Sequence, residues 1–161
     1  MPFSNIRGLN WFFDEVRPLL KINLRVLVAG NISNAVRHLP GVTYIDYVED
    51  IGEAYARCSI TINPLQDGTG MKVKAVESMS YGVPIVSTPR GLCGFSPDIL
   101  HHFIVAEDPQ KFACQVERLL SDRHYYQGQC ELMLSLFKLH FNVSATTSVL
   151  KDVFTSGNSK N

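Results

Sequence analysis

The sequence predicts a doubly wound α/β domain with a helical tail. Short apolar strand patterns alternate with helical ones along most of the chain. The helical stretches are long enough to act as right-handed crossovers on a parallel sheet. No internal repeat, low-complexity linker or charge block interrupts the alternation. At 161 residues the chain suits one domain, large enough for a core that needs neither disulfides nor a metal.

The elements follow in order. Residues 8–20, "GLNWFFDEVRPLL", place Leu9, Phe12, Phe13, Val16 and Leu20 on one helical face, and Pro18 kinks or ends that helix. "LRVLVAG" at 24–30 is a compact apolar strand closed by Gly30. A short helix at 33–38 leads to Gly41 and a strand at 42–46. "EDIGEAYARC" is a short helix with acidic residues in its first turn, where the helix dipole favours them. "SITINP" is the next strand, stopped by Pro64, and a helix over 71–81 stops at Gly82, a C-cap signal. "VPIVST" and "HFIVA" are two further strands. "PQKFACQVERLLSD" is a helix with Pro109 in its first turn and Asp108 as N-cap. "HYYQGQCELMLSLFKLHF" and "SATTSVLKDVF" complete a helical tail over 123–155, and 156–161 fray. The α/β core is thus expected over about 4–122.

Composition narrows the function. Apolar residues make up 45% and charged residues 19%, which excludes long disorder. Fifteen basic residues balance fifteen acidic ones, so net charge gives no nucleic-acid footprint, and a bound anion needs a local site. No apolar run reaches the length of a membrane span, and the start "MPFSNIRGLNWFF" lacks the pattern of a secretory leader. Cys58, Cys93, Cys114 and Cys130 form no Cys-x-x-Cys pair and lie in apolar patterns, so they read as buried free thiols of a cytoplasmic protein. In that compartment the Asn142-Val143-Ser144 sequon serves as a helix start and not as a glycan acceptor.

One stretch carries chemistry. "NPLQDGTGMKVKAVESMSYGVPIV", residues 63–86, passes from a strand through a glycine loop into the 71–81 helix. In open α/β sheets ligands sit beyond the carboxyl ends of the strands, where this loop lies. The first N–H groups of the helix lack intrahelical partners, and its dipole favours negative charge. Gly68 and Gly70 permit a tight backbone and close approach. Lys72 and Lys74 add cations at the end of the helix where cations are unfavourable, which makes sense if an anion binds there. The loop is neither Gly-x-x-x-x-Gly-Lys-Ser/Thr nor Gly-x-Gly-x-x-Gly, because Val73 falls at the deciding position of both. Glu77, three residues after Lys74, has two open readings: a plain i,i+3 ion pair, or a carboxylate that accepts ribose hydroxyls.

"GTGMKVKAVESMSYGVPIVST" resembles the donor-binding signature of the group 1 glycosyltransferases through Gly68, Gly70, Lys72, Lys74, Glu77, Met79, Gly82 and Pro84. "SNIRGLNWFFDEVRPLL", "LRVLVAG", "STPRGLCGF" and "AEDPQKFACQVERLLSD" are similar to that family's flanking segments, so the likeness runs from about residue 4 to 122.

The resemblance implies a Rossmann-like domain, the C-terminal half of a two-domain GT-B enzyme. It implies a retaining sugar transfer from a UDP- or GDP-linked donor, with no metal and no other cofactor. Gly68, Thr69, Gly70, Met71, Lys72, Lys74 and Glu77 would contact the donor, with Lys74 and Glu77 closest to the chemistry. Many relatives carry Glu-x7-Glu, whereas Thr69 stands eight positions before Glu77 and Asp67 is out of register. The acceptor-binding half is expected to be missing, so the chain alone should be inactive. Peripheral membrane association is expected only through the full-length enzyme. The rival expectation is a non-catalytic domain of like fold that binds a nucleotide or a partner protein. A dehydrogenase lacks support, because the expected glycines do not follow Gly30.

Other residues have humbler readings. Arg90, Gly91 and Gly94 follow a strand end and either line the cleft or form a plain turn. His101 and His102 read as structural. Trp11, Phe12 and Phe13 read as core, and Tyr125 and Tyr126 as packing for the tail.

Overall fold

A computed structural model describes residues 3–30, 32, 39–68 and 73–141. The expected helix at 33–38, the sequon, the helix at "SATTSVLKDVF" and the frayed end lie outside these residues, as do Thr69, Gly70, Met71 and Lys72.

Among the described residues are five parallel strands, each of the last four followed by a helix: β1 (Val26–Ala29), β2 (Val42–Ile45), β3 (Thr61–Asn63), β4 (Ile85–Ser87) and β5 (Ile104–Val105). All ladders are parallel, which makes this a Rossmann-like α/β fold. The ladder is divided in two, however, with order β1-β2 in one sheet and β3-β4-β5 in the other. Side chains join the two sheets: Val28 of β1 and Val86 of β4 share one buried cluster, and Ile62 of β3 packs against it.

The strands are shorter than their apolar runs. "LRVLVAG" pairs only over Val26–Ala29, although Leu24 still packs on the core. Apolar pattern reports burial, and burial extends past the last ladder hydrogen bond.

The first helix differs most from expectation. α1 spans Phe3–Trp11 and begins before the predicted residue 8. It runs on through a wider π turn, Phe12–Val16, and a 3₁₀ turn, Arg17–Leu19, that contains Pro18. Phe12, Phe13 and Val16 are buried as predicted, and Trp11 and Phe12 meet Phe112 edge-on at 5.4 and 6.2 Å.

α2 (Ile51–Ala56) is capped by Asp50, whose side chain accepts from the Gly52 N–H. α3 (Val73–Ser80) ends at Gly82, which has φ +64°. There the Val83 N–H reaches Ser78 O at 2.9 Å and the Gly82 N–H reaches Met79 O at 3.1 Å, a Schellman closure. After the short α4 (Pro97–Leu100), α5 (Pro109–Ser121) starts on Asp108, whose Oδ1 accepts from the Lys111 N–H at 2.8 Å. α6 (Arg123–His140) packs Met133 and Leu136 into a second buried cluster with Ala75 and Met79 of α3.

His101 and His102 end α4 with their rings 3.8 Å apart, and His101 Nδ1 lies 3.1 Å from Pro97 O. All four cysteines are free, but the expectation of burial fails: Cys93 and Cys114 are exposed, and Cys58 and Cys130 are only half-buried. Cys93 falls in the turn after β4 and Cys114 on the outer side of α5, positions that apolar neighbours in sequence do not cover. Among the described residues no helix is long and apolar enough to cross a membrane.

Candidate functional site

The crevice opens where an α/β fold should have it. A cleft of about 440 Å³ is lined by Leu65 and Gln66 after β3, by Thr88, Pro89, Arg90 and Cys93 after β4, and by Glu107 after β5. The carboxyl ends of three neighbouring strands thus form its walls.

A buried polar frame holds this floor. Asn63 is 2% exposed, and its Nδ2 donates to Gly91 O at 2.8 Å. The Ser87 hydroxyl donates to Asn63 O at 3.2 Å, and the Thr88 hydroxyl donates to Leu65 O. The Gly91 N–H donates to Thr88 Oγ1 at 3.2 Å. These bonds tie the loop after β3 to the loop after β4, so the two walls are cross-linked by a buried network. Both sequence readings of 89–94 are realised. Pro89–Leu92 is a 3₁₀ turn, Arg90 lines the cleft, Gly91 lies buried beneath it, and Gly94 turns with φ +104°.

Gly68 leads from the cleft toward α3. Its φ of +103° is a conformation that side-chain-bearing residues avoid, which accounts for glycine at this position. The side chain of Ser4 in α1 stands where a Cβ on Gly68 would come within 3.1 Å. Nearby, a Cβ on Gly8 would lie 2.7 Å from Pro64 O, so α1 presses backbone to backbone against the loop after β3. Arg7 pairs with Asp67, and Lys74 Nζ donates to Asn5 Oδ1 at 2.8 Å. One face of α1, residues 4, 5, 7 and 8, therefore grips the described part of the glycine loop and the first turn of α3.

Glu77 lies one turn further along α3 and is half-buried. Its Oε2 accepts from the Tyr55 hydroxyl at 3.2 Å, and the same hydroxyl lies 3.4 Å from Lys74 O. The Tyr55 ring stacks on Tyr81 with centroids 4.8 Å apart and planes 16° apart. Burial, and after it the Glu77 charge, pushes the Tyr55 hydroxyl pKa well above its ordinary value.

Of the predicted site residues, Gly68, Lys74 and Glu77 are described, and α1 and α2 reach them from outside. Thr69, Gly70, Met71 and Lys72 lie outside the described residues. Among the described residues no group of three His, Cys, Asp or Glu is placed to share a metal ion. Sequence reasoning missed Ser4, Asn5, Arg7 and Tyr55. The first three stand in "SNIRG", inside a segment that carried the resemblance, so a signal existed. Tyr55 gave none, because a buried aromatic on a helix looks like core.

The model of the family described as "Glycosyl transferases group 1" matches residues 1–122, which takes in the cleft, the glycine loop and α3. The chain belongs to the group 1 glycosyltransferases. It is also similar to a Klebsiella pneumoniae protein described as an "uncharacterized 44.6 kDa protein in cps region", with 26% identity over 125 residues. That alignment covers 68% of this chain and 32% of the relative, so the chain spans about a third of the relative's length. The group 1 match ends at residue 122, just where α6 of this glycosyltransferase-family chain begins.

Proposed function

We propose that this chain is the donor-binding half of a retaining GT-B glycosyltransferase, and that it holds the nucleoside diphosphate of a UDP- or GDP-linked sugar. One observation carries the reading: the group 1 match spans Gly68, Lys74 and Glu77 on the loop and helix that follow β3, whose end borders the cleft.

In this reading Gly68, Thr69, Gly70 and Met71 let the backbone approach the diphosphate, and Lys72 and Lys74 neutralise it. Glu77 accepts hydroxyls of the ribose or the sugar. Asn5 orients Lys74 by accepting from its ammonium through a neutral amide oxygen. As the bond between the anomeric carbon and the diphosphate breaks, negative charge gathers on the leaving oxygen. Cations already aimed at that point stabilise it more than they stabilise the bound donor. The lysines take the part that a divalent cation plays elsewhere, and the acceptor site belongs to the other half of the enzyme. The setting we propose is cytoplasmic.

Titration of the chain with UDP, GDP and NAD, followed by NMR shifts, tests this. UDP or GDP should bind, and Lys74→Ala should weaken that binding about 10-fold or more, as expected for a lost charge-assisted hydrogen bond. Binding of NAD alone would sink the proposal.

A further inference from the structure

We propose that Tyr55 is a positioning residue of the donor site: its hydroxyl holds the Glu77 carboxylate ready for the ribose hydroxyls of the nucleotide. This rests on the donor-binding reading of α3 and adds to it a residue from a different helix.

The geometry carries the inference. Tyr55 comes from α2 and touches α3 at two points of one turn, Glu77 Oε2 at 3.2 Å and Lys74 O at 3.4 Å. Its ring is fixed in turn by the stack on Tyr81, which follows Glu77 by four residues at the end of α3. Gly52 makes room for this stack, since a Cβ there would come within 3.3 Å of the Tyr81 ring. The hydroxyl is thus aimed by a ring that cannot swing freely.

A glutamate on a helix surface samples many rotamers, and binding must freeze one of them. A carboxylate already held through one oxygen loses less freedom when ligand arrives. It also keeps acceptor capacity, because an ionised carboxylate offers about four lone-pair sites and the phenol uses one. Tyr55 suits the task chemically as well. Burial and the neighbouring charge favour the protonated phenol, the form that donates.

Tyr55→Phe removes the hydroxyl and keeps the ring and its stack. The test titrates the whole 161-residue chain with UDP, GDP and their 2′- and 3′-deoxy analogues, read by NMR. The wild-type chain should prefer the ribonucleotides. Tyr55→Phe should weaken ribonucleotide binding about five- to tenfold and the deoxy analogues less than about twofold, narrowing the preference. In a Glu77→Ala background the same change should add nothing, a cycle that a merely structural tyrosine would not produce. An unchanged ribose preference in Tyr55→Phe overturns this inference and leaves the donor reading intact. A wild-type chain that binds UDP or GDP without any ribose preference also overturns it, since the inference has Glu77 hold the ribose hydroxyls. If neither diphosphate binds the wild-type chain, the donor reading itself falls, and the role of Tyr55 falls with it.

Discussion

Gly91 sits beneath the cleft where a side chain has no room. A Cβ there would lie 2.2 Å from Ser87 Oγ and 2.7 Å from Asn63 Nδ2, and both neighbours are buried and hydrogen-bonded. Neither can withdraw without breaking the frame that ties the two cleft walls together. Gly91→Ala should therefore cost about 1–3 kcal/mol in urea unfolding, the range for overpacking a tight site. Gly94→Ala makes an informative comparison: nothing lies within 4 Å of its Cβ position, so its cost comes from the positive φ alone. From the sequence Gly91 was legible as a residue near the cleft. Its role as the floor was not, because it depends on Asn63, 28 residues away. The same holds for Tyr55 and Glu77, which only the packing of α2 beside α3 brings together.

At the scale of elements, α3 is set at its far end by Gly82 and the helix that crosses it. Gly82 adopts φ +64°, and a Cβ there would meet Leu134 Cγ of α6 at 2.7 Å. Gly82→Ala should lose about 1–2 kcal/mol for the left-handed backbone plus the cost of moving Leu134. The double variant Gly82→Ala/Leu134→Ala should recover the steric share of the penalty and not the backbone share, which thermal unfolding of the three variants would show. The cap was readable in advance, since a glycine closing an amphipathic run has few other uses. The start of α1 was not. Ser4, Asn5 and Arg7 face the glycine loop and Lys74, so their helical turn carries no apolar period that a pattern search would detect.

For the molecule as a whole, Phe112 joins the parts. It is fully buried, and Trp11 and Phe12 pack edge-on against it, linking the N-terminal helical segment to α5 and the β4–β5 side of the core. Phe112→Ala should cost about 3–5 kcal/mol, a large fraction of the 5–15 kcal/mol typical of a domain, and its melting temperature should fall accordingly. The fold class was legible because parallel strands with helical crossovers leave few alternatives. The division into two ladders was not, because apolar pattern marks which residues are buried and not which edges pair.

The grip of α1 on the glycine loop bears on local opening. Arg7 and Asp67 are 60 residues apart in sequence, and Asn5 and Lys74 are 69 apart. Contacts that close such long loops must offset the chain entropy that closure removes. Both side-chain pairs lie at an exposed edge. The amides of residues 4–8 and 65–68 should thus exchange with solvent well before those of β4 or α5, through local opening far cheaper than global unfolding. Closure of α1 over residues 65–68 is thus a local, reversible step laid over a folded core.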